Sequence, residues 1–240
     1  MEARVNRIIP FSSVDGPGNR TAIFLQGCNI DCKYCHNPET RDRQGDPAIT
    51  TVTVMTAEEV MERVLRQVPF IRGITVSGGE CMLQQDFLQE LFALARVQGL
   101  STMIDTNGTI SFAEAQDLLS VTDGVLLDIK AFDSQVHRQL TGAGNETVLE
   151  NARLLAQAGK LEEIRCVICP SLYDGRRSVS DIADYMIDLY SPGAFHFKLI
   201  SYRPNGVREQ YSHQLTPGTD YMNNLKEILE ERGYKDTIVV

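Results

Sequence analysis

Cys28, Cys32 and Cys35 fall within eight residues, spaced Cys-x3-Cys-x2-Cys and followed at once by His36. Thiolates are soft ligands, so the pattern points to zinc or to an iron–sulfur cluster. A zinc tetrahedron would take all four residues, although Cys35 and His36 are neighbours and zinc ligands usually sit some residues apart in loops. A cubane would take the three cysteines and leave one iron without a protein ligand, an open position where a substrate or cofactor can bind. Spacing alone leaves both readings open. A disulfide framework belongs to small secreted chains, and 240 residues without an apolar leader do not fit that class.

Other reactive groups recur at regular places. Ser77-Gly78-Gly79-Glu80, Asp105-Thr106-Asn107-Gly108 and Asp128-Ile129-Lys130 each follow a short apolar run, as the cysteines follow Arg20–Gln26. Each run reads as a strand. In parallel α/β sheets and barrels, chemistry collects at the carboxyl ends of the strands, so four consecutive strand ends carry candidate groups. A Gly-Gly pair taken alone is as well explained by a tight turn as by a ligand approaching the backbone. The combination is the informative signal.

The elements that must hold these groups alternate. Strands are expected at 20–26, 73–77, 100–105, 124–129, 162–168, 194–200 and 236–240. Helices are expected at 56–67, 84–98, 111–119, 133–140, 145–158, 178–190 and 216–232. Thr56 with Glu59, and Ser111 with Glu114, have capping-box spacing. Repeated βα units argue for a parallel sheet curled into a full or partial barrel, in one domain spanning 1–240. The stretch 37–55 reads as linker-like.

Composition bounds the function. The chain is 42% hydrophobic and 23% charged, that of a soluble globular protein. A net charge of −9 argues against gripping a phosphate backbone, and no apolar run nears the length of a membrane span. Met1–Val5 lacks the apolar core of a secretory signal, so a cytoplasmic location is expected.

With these residues in place the chain resembles the radical S-adenosylmethionine (SAM) enzymes, and among them the glycyl-radical-enzyme activating enzymes of the pyruvate formate-lyase activator type. The matching segments are Ser13–Arg20 with Asp15-Gly16-Pro17-Gly18, Phe24–Pro38 with the three cysteines, Ser77–Glu80, Asp105–Gly108 and Asp128–Lys130. The resemblance implies a partial (β/α)6 TIM-like barrel, the radical SAM core. It implies that Cys28, Cys32 and Cys35 hold a 4Fe–4S cluster whose open iron chelates SAM. The resulting 5′-deoxyadenosyl radical would take a hydrogen from a glycine α-carbon of a partner enzyme, under anaerobic conditions.

Residue roles follow from the resemblance only. Tyr34, Cys35 and His36 would lie against the adenine. Gly78 and Gly79 would receive the methionine amino group, supported by Glu80. Asp128, Ile129 and Lys130 would contact the cofactor, with Lys130 facing the carboxylate. Asp105, Thr106 and the backbone near Leu126 would hold a monovalent cation, and Asp15 would touch the substrate peptide. Where the type enzyme has a Tyr-His pair, this chain has Tyr202-Arg203-Pro204-Asn205-Gly206, which makes Arg203 a substitute cofactor contact and suggests a distinct subgroup. No cysteine lies in 37–55, so the ferredoxin-like insertion of many activators is not expected there. A reduced flavodoxin or ferredoxin is the expected electron donor, and the resemblance leans towards a monomer.

Cys81, Cys166 and Cys169 read as buried packing residues, the last two on opposite faces of a strand. His137, His196 and His213 read as ordinary surface or core residues, and Glu227–Arg232 as a solvated helix face. Two other functions remain to be weighed. A radical SAM enzyme acting on a small molecule would share every cofactor motif. A zinc-bound structural module would leave the strand-end residues without a role.

Overall fold

The computed structural model describes all of residues 1–240. They fall into two compact units. One comprises Met1–Asn29, Glu39–Thr106 and Phe112–Leu126; the other comprises Ile30–Pro38, Asn107–Ser111 and Leu127–Val240.

The first unit carries β1 (Glu2–Ser12), β2 (Arg20–Leu25), β3 (Thr53–Thr56), α1 (Ala57–Leu65), β4 (Gly73–Gly78), α2 (Gln85–Val97), β5 (Ser101–Thr106) and α3 (Gln116–Ser120). It also carries the first three residues of β6 (Gly124–Asp128). Its strands lie in the order β3-β1-β2-β4-β5. β2, β4 and β5 are parallel, with Arg20 opposite Gly73 and Gly73 opposite Ser101. All six residues of β2 are buried, as expected for a central parallel strand that is covered on both faces. Ile23, Leu25, Ile74 and Val76 on the strands and Leu88 and Phe92 on α2 are all fully buried.

The second unit carries the end of β6, then α4 (Ser134–Thr141), α5 (Glu146–Gln157), β7 (Leu161–Ile168), α6 (Gly175–Met186), β8 (His196–Ser201), α7 (Glu209–Ser212), α8 (Thr219–Glu231) and β9 (Ile238–Val239). β7, β8 and β9 are parallel neighbours. Phe197 packs edge-on against Tyr234, with Phe195 and Tyr190 completing an aromatic cluster. The expected α/β alternation with parallel pairing is present in both units.

Three differences from the sequence expectation have local causes. β1 and β3 were not expected, and they form antiparallel pairs at the edge of the first unit. β1 breaks register between Val5 and Arg7 and again between Ile9 and Ser12, so its apolar residues do not alternate cleanly. Helix α3 begins at Gln116, not Ser111. Segment 107–111 is held out of the helix by Asn151, whose Nδ2 donates to the carbonyls of Gly108 and Ile110 at 2.8 Å each. Helix α6 starts three residues early because the Asp174 carboxylate accepts from the Arg177 N–H as an N-cap.

Candidate active site

The cysteine loop leaves the buried end of β2 and is tied down at its root in the first unit. Gly27 N–H donates to the Thr40 carbonyl at 2.7 Å, and Cys28 N–H to the Arg41 carbonyl at 3.0 Å. The Gln26 side chain, itself buried, donates to the carbonyls of Glu39 and Asp42. These bonds satisfy loop backbone that water does not reach, and they fix where Cys28 begins.

Gly78-Gly79-Glu80 lies directly on that root. A Cβ at Gly78 would overlap the Leu25 carbonyl oxygen, and Gly78 also has φ +126°, a region other residues avoid. A Cβ at Gly79 would overlap the Gly27 carbonyl oxygen. Gly79 N–H donates to Leu25 and Glu80 N–H to Gly27. Both glycines are therefore needed first for chain-on-chain packing. Glu80 is fully buried, and its Oε1 accepts from Met82 N–H at 3.0 Å and from Thr106 Oγ1 at 2.8 Å. Beside it, Asp105 Oδ2 accepts from Ser77 Oγ at 3.0 Å, and the Asp105 carbonyl accepts from Cys81 Sγ at 3.4 Å. The first unit thus gathers Ser77–Glu80, Asp105 and Thr106 into one bonded group. Cys81 is wholly buried, and desolvation, then Glu80 and Asp105, push its thiol well above the ordinary value.

Asp15 sits elsewhere in this unit. Its carbonyl accepts from Thr75 Oγ1 at 2.5 Å, and its carboxylate from Ser12 Oγ. Thr75 lies three residues before Gly78 on β4, about 10 Å short of it. The turn carrying Asp15 is anchored by Arg20. That buried guanidinium donates to Thr75 Oγ1, the Ile74 carbonyl, both Ser101 oxygens and the Pro17 carbonyl.

In the second unit the rest of the cysteine loop is pinned by different groups. Asp31 and Lys33 N–H donate to the carbonyls of Thr141 and Leu140. Arg208 reaches the loop from 176 residues away, pairing with Asp31 at 2.6 Å and donating to the Cys32 carbonyl at 3.0 Å. His36 Nε2 donates to the Arg203 carbonyl at 2.9 Å, and its ring lies nearly parallel to that of Tyr202 at 6.5 Å. A Cβ at Gly206 would stand 2.6 Å from the His36 carbonyl oxygen. The 202–206 segment and the cysteine loop are thus one local structure, while the Arg203 side chain itself is exposed. Arg208 was not singled out from the sequence, because nothing local to it marks a partner so distant in the chain.

Tyr34 differs from expectation. Its ring is buried in an apolar cluster with Leu140, Cys169, Tyr173, Tyr202 and Val207, and its hydroxyl has no hydrogen-bond partner. Lys130 Nζ stands 5.9 Å from that ring and pairs with Asp128 Oδ2 at 2.7 Å. Burial works against the Lys130 ammonium, but Asp128 and then Cys32 hold its pKa above the ordinary lysine value. Ile129 is buried between these two polar residues, and its N–H donates to the Arg165 carbonyl.

None of the six cysteines is in a disulfide. Cys32 is buried; Cys28 and Cys35 are partly exposed, as thiolates that must meet an incoming group require. Three thiols in one pinned loop are a donor set that suits a cubane with an open iron. Cys166 and Cys169 are both buried. Desolvation, then Asp128, push the Cys166 thiol up to about 12, with Lys130 opposing. His137 is buried within α4, and its Nδ1 lies 2.7 Å from the Ala143 carbonyl oxygen beyond the helix end.

The chain matches the model of the radical SAM superfamily over residues 22–186. It is 36% identical to a pyruvate formate-lyase-activating enzyme of Streptococcus mutans, covering 97% of this chain and 92% of that one. It is 33% identical to the pyruvate formate-lyase 1-activating enzyme of Escherichia coli strain K12, covering 96% and 98%. The solved structure of QueE from Escherichia coli shares the fold, with a TM-score of 0.62 at 16% identity over 100% of this chain and 94% of that chain. The α/β elements described above are those of the radical SAM core, and the chain belongs to the radical SAM superfamily, within its family of glycyl-radical-enzyme activating enzymes.

Proposed function

We propose that this chain installs a glycyl radical on a partner enzyme, working as one radical SAM domain over residues 1–240. The observation that carries this is near-full-length similarity to named activating enzymes, combined with a thiol loop pinned at Cys28 and again around Cys32. The superfamily match runs across both compact units, which supports reading them as a single working domain.

The superfamily's 4Fe–4S cluster and SAM, when bound, supply the 5′-deoxyadenosyl radical that takes the glycine hydrogen. The chain's own residues hold, orient and shield. Cys28, Cys32 and Cys35 would ligate the cluster. An ammonium needs acceptors, and the N–H groups of Gly79 and Glu80 are already spent on the carbonyls of Leu25, at the end of β2, and Gly27. The carbonyls of Gly78 and Gly79 are therefore the groups proposed for the methionine amine. Lys130, held charged by Asp128, is assigned to the methionine carboxylate. Because the Tyr34 ring is buried, the adenine contact is assigned to the backbone of 34–36 and to His36, with the Arg203 side chain beside it.

Thr106 Oγ1 donates a hydrogen bond to Glu80 Oε1, so its hydroxyl oxygen lies in the same group as Asp105. With Asp105 it is proposed to hold a monovalent cation. A reduced flavodoxin or ferredoxin is the proposed electron donor. The proposed setting is an anaerobic cytoplasm without nucleic acid or membrane, in keeping with a net charge of −9. No helix is long and apolar enough to cross a membrane.

Anaerobic reconstitution tests the assignment. The expected result is about four irons per chain, as one 4Fe–4S cluster requires. Reduction should yield 5′-deoxyadenosine from SAM, and a glycyl radical signal should appear by electron paramagnetic resonance when a pyruvate formate-lyase is added. Iron loading without any glycyl signal on glycyl radical enzymes would remove the activase reading.

A further inference from the structure

The first unit exposes an apolar patch that its own packing does not use. Phe70 is 68% exposed, Val14 65% and Phe11 51%, and Val68 and Leu65 are also exposed. Its two aromatic side chains touch: the Phe11 and Phe70 rings meet edge to face with centroids 6.2 Å apart. Its backbone is built, too. Asn19 Nδ2 donates to the Phe70 carbonyl, and Arg72 N–H donates to the Asn19 carbonyl at 2.8 Å. Two segments 50 residues apart in sequence are thereby locked together to present large apolar side chains to water. Exposed patches of this kind mark interaction surfaces.

Position says what covers it. Phe11 is near the end of β1, and Phe70 lies three residues before the start of β4, so the patch lies at the amino ends of the parallel strands. Going along β4 from the patch, the next feature is Asp15, bonded at the level of Thr75. Beyond it comes the Ser77–Glu80 group at the carboxyl end. The patch, Asp15 and the proposed cofactor segment thus succeed one another within this unit. A second copy is a poor occupant. Arg66 and Arg72 are exposed on the patch rim, and a two-fold contact would set like charges against each other in chains already at −9.

We infer that Phe11, Val14, Val68 and Phe70 form the docking surface for the body of the glycine-bearing partner protein, whose glycine loop then passes Asp15 towards Gly78-Gly79. This rests on the activase reading above. The partner surface is apolar with an acidic rim to meet Arg66 and Arg72. From the level of Gly73 to that of Gly78 is about 17 Å of strand, so the glycine rides on a loop of at least about five extended residues per arm.

The test uses the full chain and a pyruvate formate-lyase as probe. Its dissociation constant is measured for wild type, Phe11→Ser, Phe70→Ser, Phe70→Leu and Val97→Ser, the last an exposed apolar residue on α2. Melting temperatures confirm folding. Phe11→Ser and Phe70→Ser should each weaken binding at least about tenfold, while Phe70→Leu and Val97→Ser stay within about threefold. In activation assays the loss should fall on KM rather than kcat. If wild type generates the glycyl radical and the serine variants bind as tightly as it does, the docking surface is wrong and the activase reading stands. A concentration-dependent dimer abolished by Phe70→Ser would assign the patch to a second copy instead. Absence of any glycyl signal with wild type, on this probe and on other glycyl radical enzymes, would bring down both readings.

Discussion

At the scale of single residues, two kinds of cysteine are separated by their surroundings. Cys28 and Cys35 are partly exposed in a pinned loop, whereas Cys166 and Cys169 are buried, and burial holds their thiols protonated. Cys32→Ala should abolish iron binding and 5′-deoxyadenosine formation. Cys166→Ser and Cys169→Ser should leave iron content unchanged by colorimetric assay; a loss of about half the iron would reveal a second cluster. The glycines make a different point. The resemblance makes Gly79 a ligand contact, yet the added Cβ of Gly79→Ala would strike the Gly27 carbonyl oxygen whether or not a ligand is present. We expect Gly79→Ala to cost roughly 3 kcal/mol and to lower the melting temperature of the cluster-free chain by about 6–12 °C. An unchanged melting temperature with lost SAM binding would reverse that order of roles.

At the scale of elements, β7 and β8 carry a buried charge group that the sequence reading did not anticipate. Glu163 lies opposite His196 and Arg165 opposite Lys198 in the parallel register. Glu163 pairs with Arg165 at 2.7 Å, with His196 Nε2 at 3.3 Å and with Lys198 at 3.7 Å. Burial alone would raise the Glu163 pKa, but His196, Arg165 and Lys198 outweigh it and bring it down from 4.5 to about 2. A carboxylate depressed in the folded state adds stability above its ordinary pKa and loses it as pH falls towards the folded value. The fold should therefore lose roughly 3 kcal/mol between about pH 4.5 and 2 from this group alone. Glu163→Gln should cost about 3–5 kcal/mol at pH 7, because the buried Arg165 and Lys198 lose the Glu163 carboxylate. Urea unfolding of both forms at pH 7 and pH 3 checks this, and the variant should show the flatter pH dependence.

What was legible at this scale follows from what is local. The Thr56–Glu59 capping box, the apolar stripe of α2 and the fully buried β2 are each encoded within a dozen residues, and their expected spans agree with the structure to within two residues at each end. The strand-end groups were legible for the same reason, since each follows its strand directly. β1 was not, because its bulges spoil the alternation on which strand recognition depends. The late start of α3, the early start of α6 and the role of Arg208 were also hidden. The first and last depend on partners 40 to 180 residues away, and Asp174-Gly175 reads as a turn until the Arg177 N–H is seen to cap on it.

At the scale of the whole molecule, the question is how far the fold depends on its cluster. Small metal-stapled modules are unfolded without their ion because they have no other core. Here each compact unit has its own: Ile23, Ile74, Leu88 and Phe92 in one, Phe197, Leu199, Tyr234 and Leu225 in the other, all buried. The loop of Gly27–Pro38 is also fixed by protein bonds at Gly27, Cys28, Asp31 and Lys33 before any metal is counted. Removing iron anaerobically with a chelator should therefore leave the far-ultraviolet circular dichroism nearly unchanged. Because a ligand that binds only the folded state stabilises it by mass action, reloading iron and sulfide should raise the melting temperature, and SAM should raise it further. Hydrogen exchange should locate the difference, with protection of residues 28–36 falling on iron removal while β2 and β4 stay protected. Loss of the whole dichroism signal with the iron would mean that the cluster builds the fold, and that the two cores described above are too weak to stand by themselves.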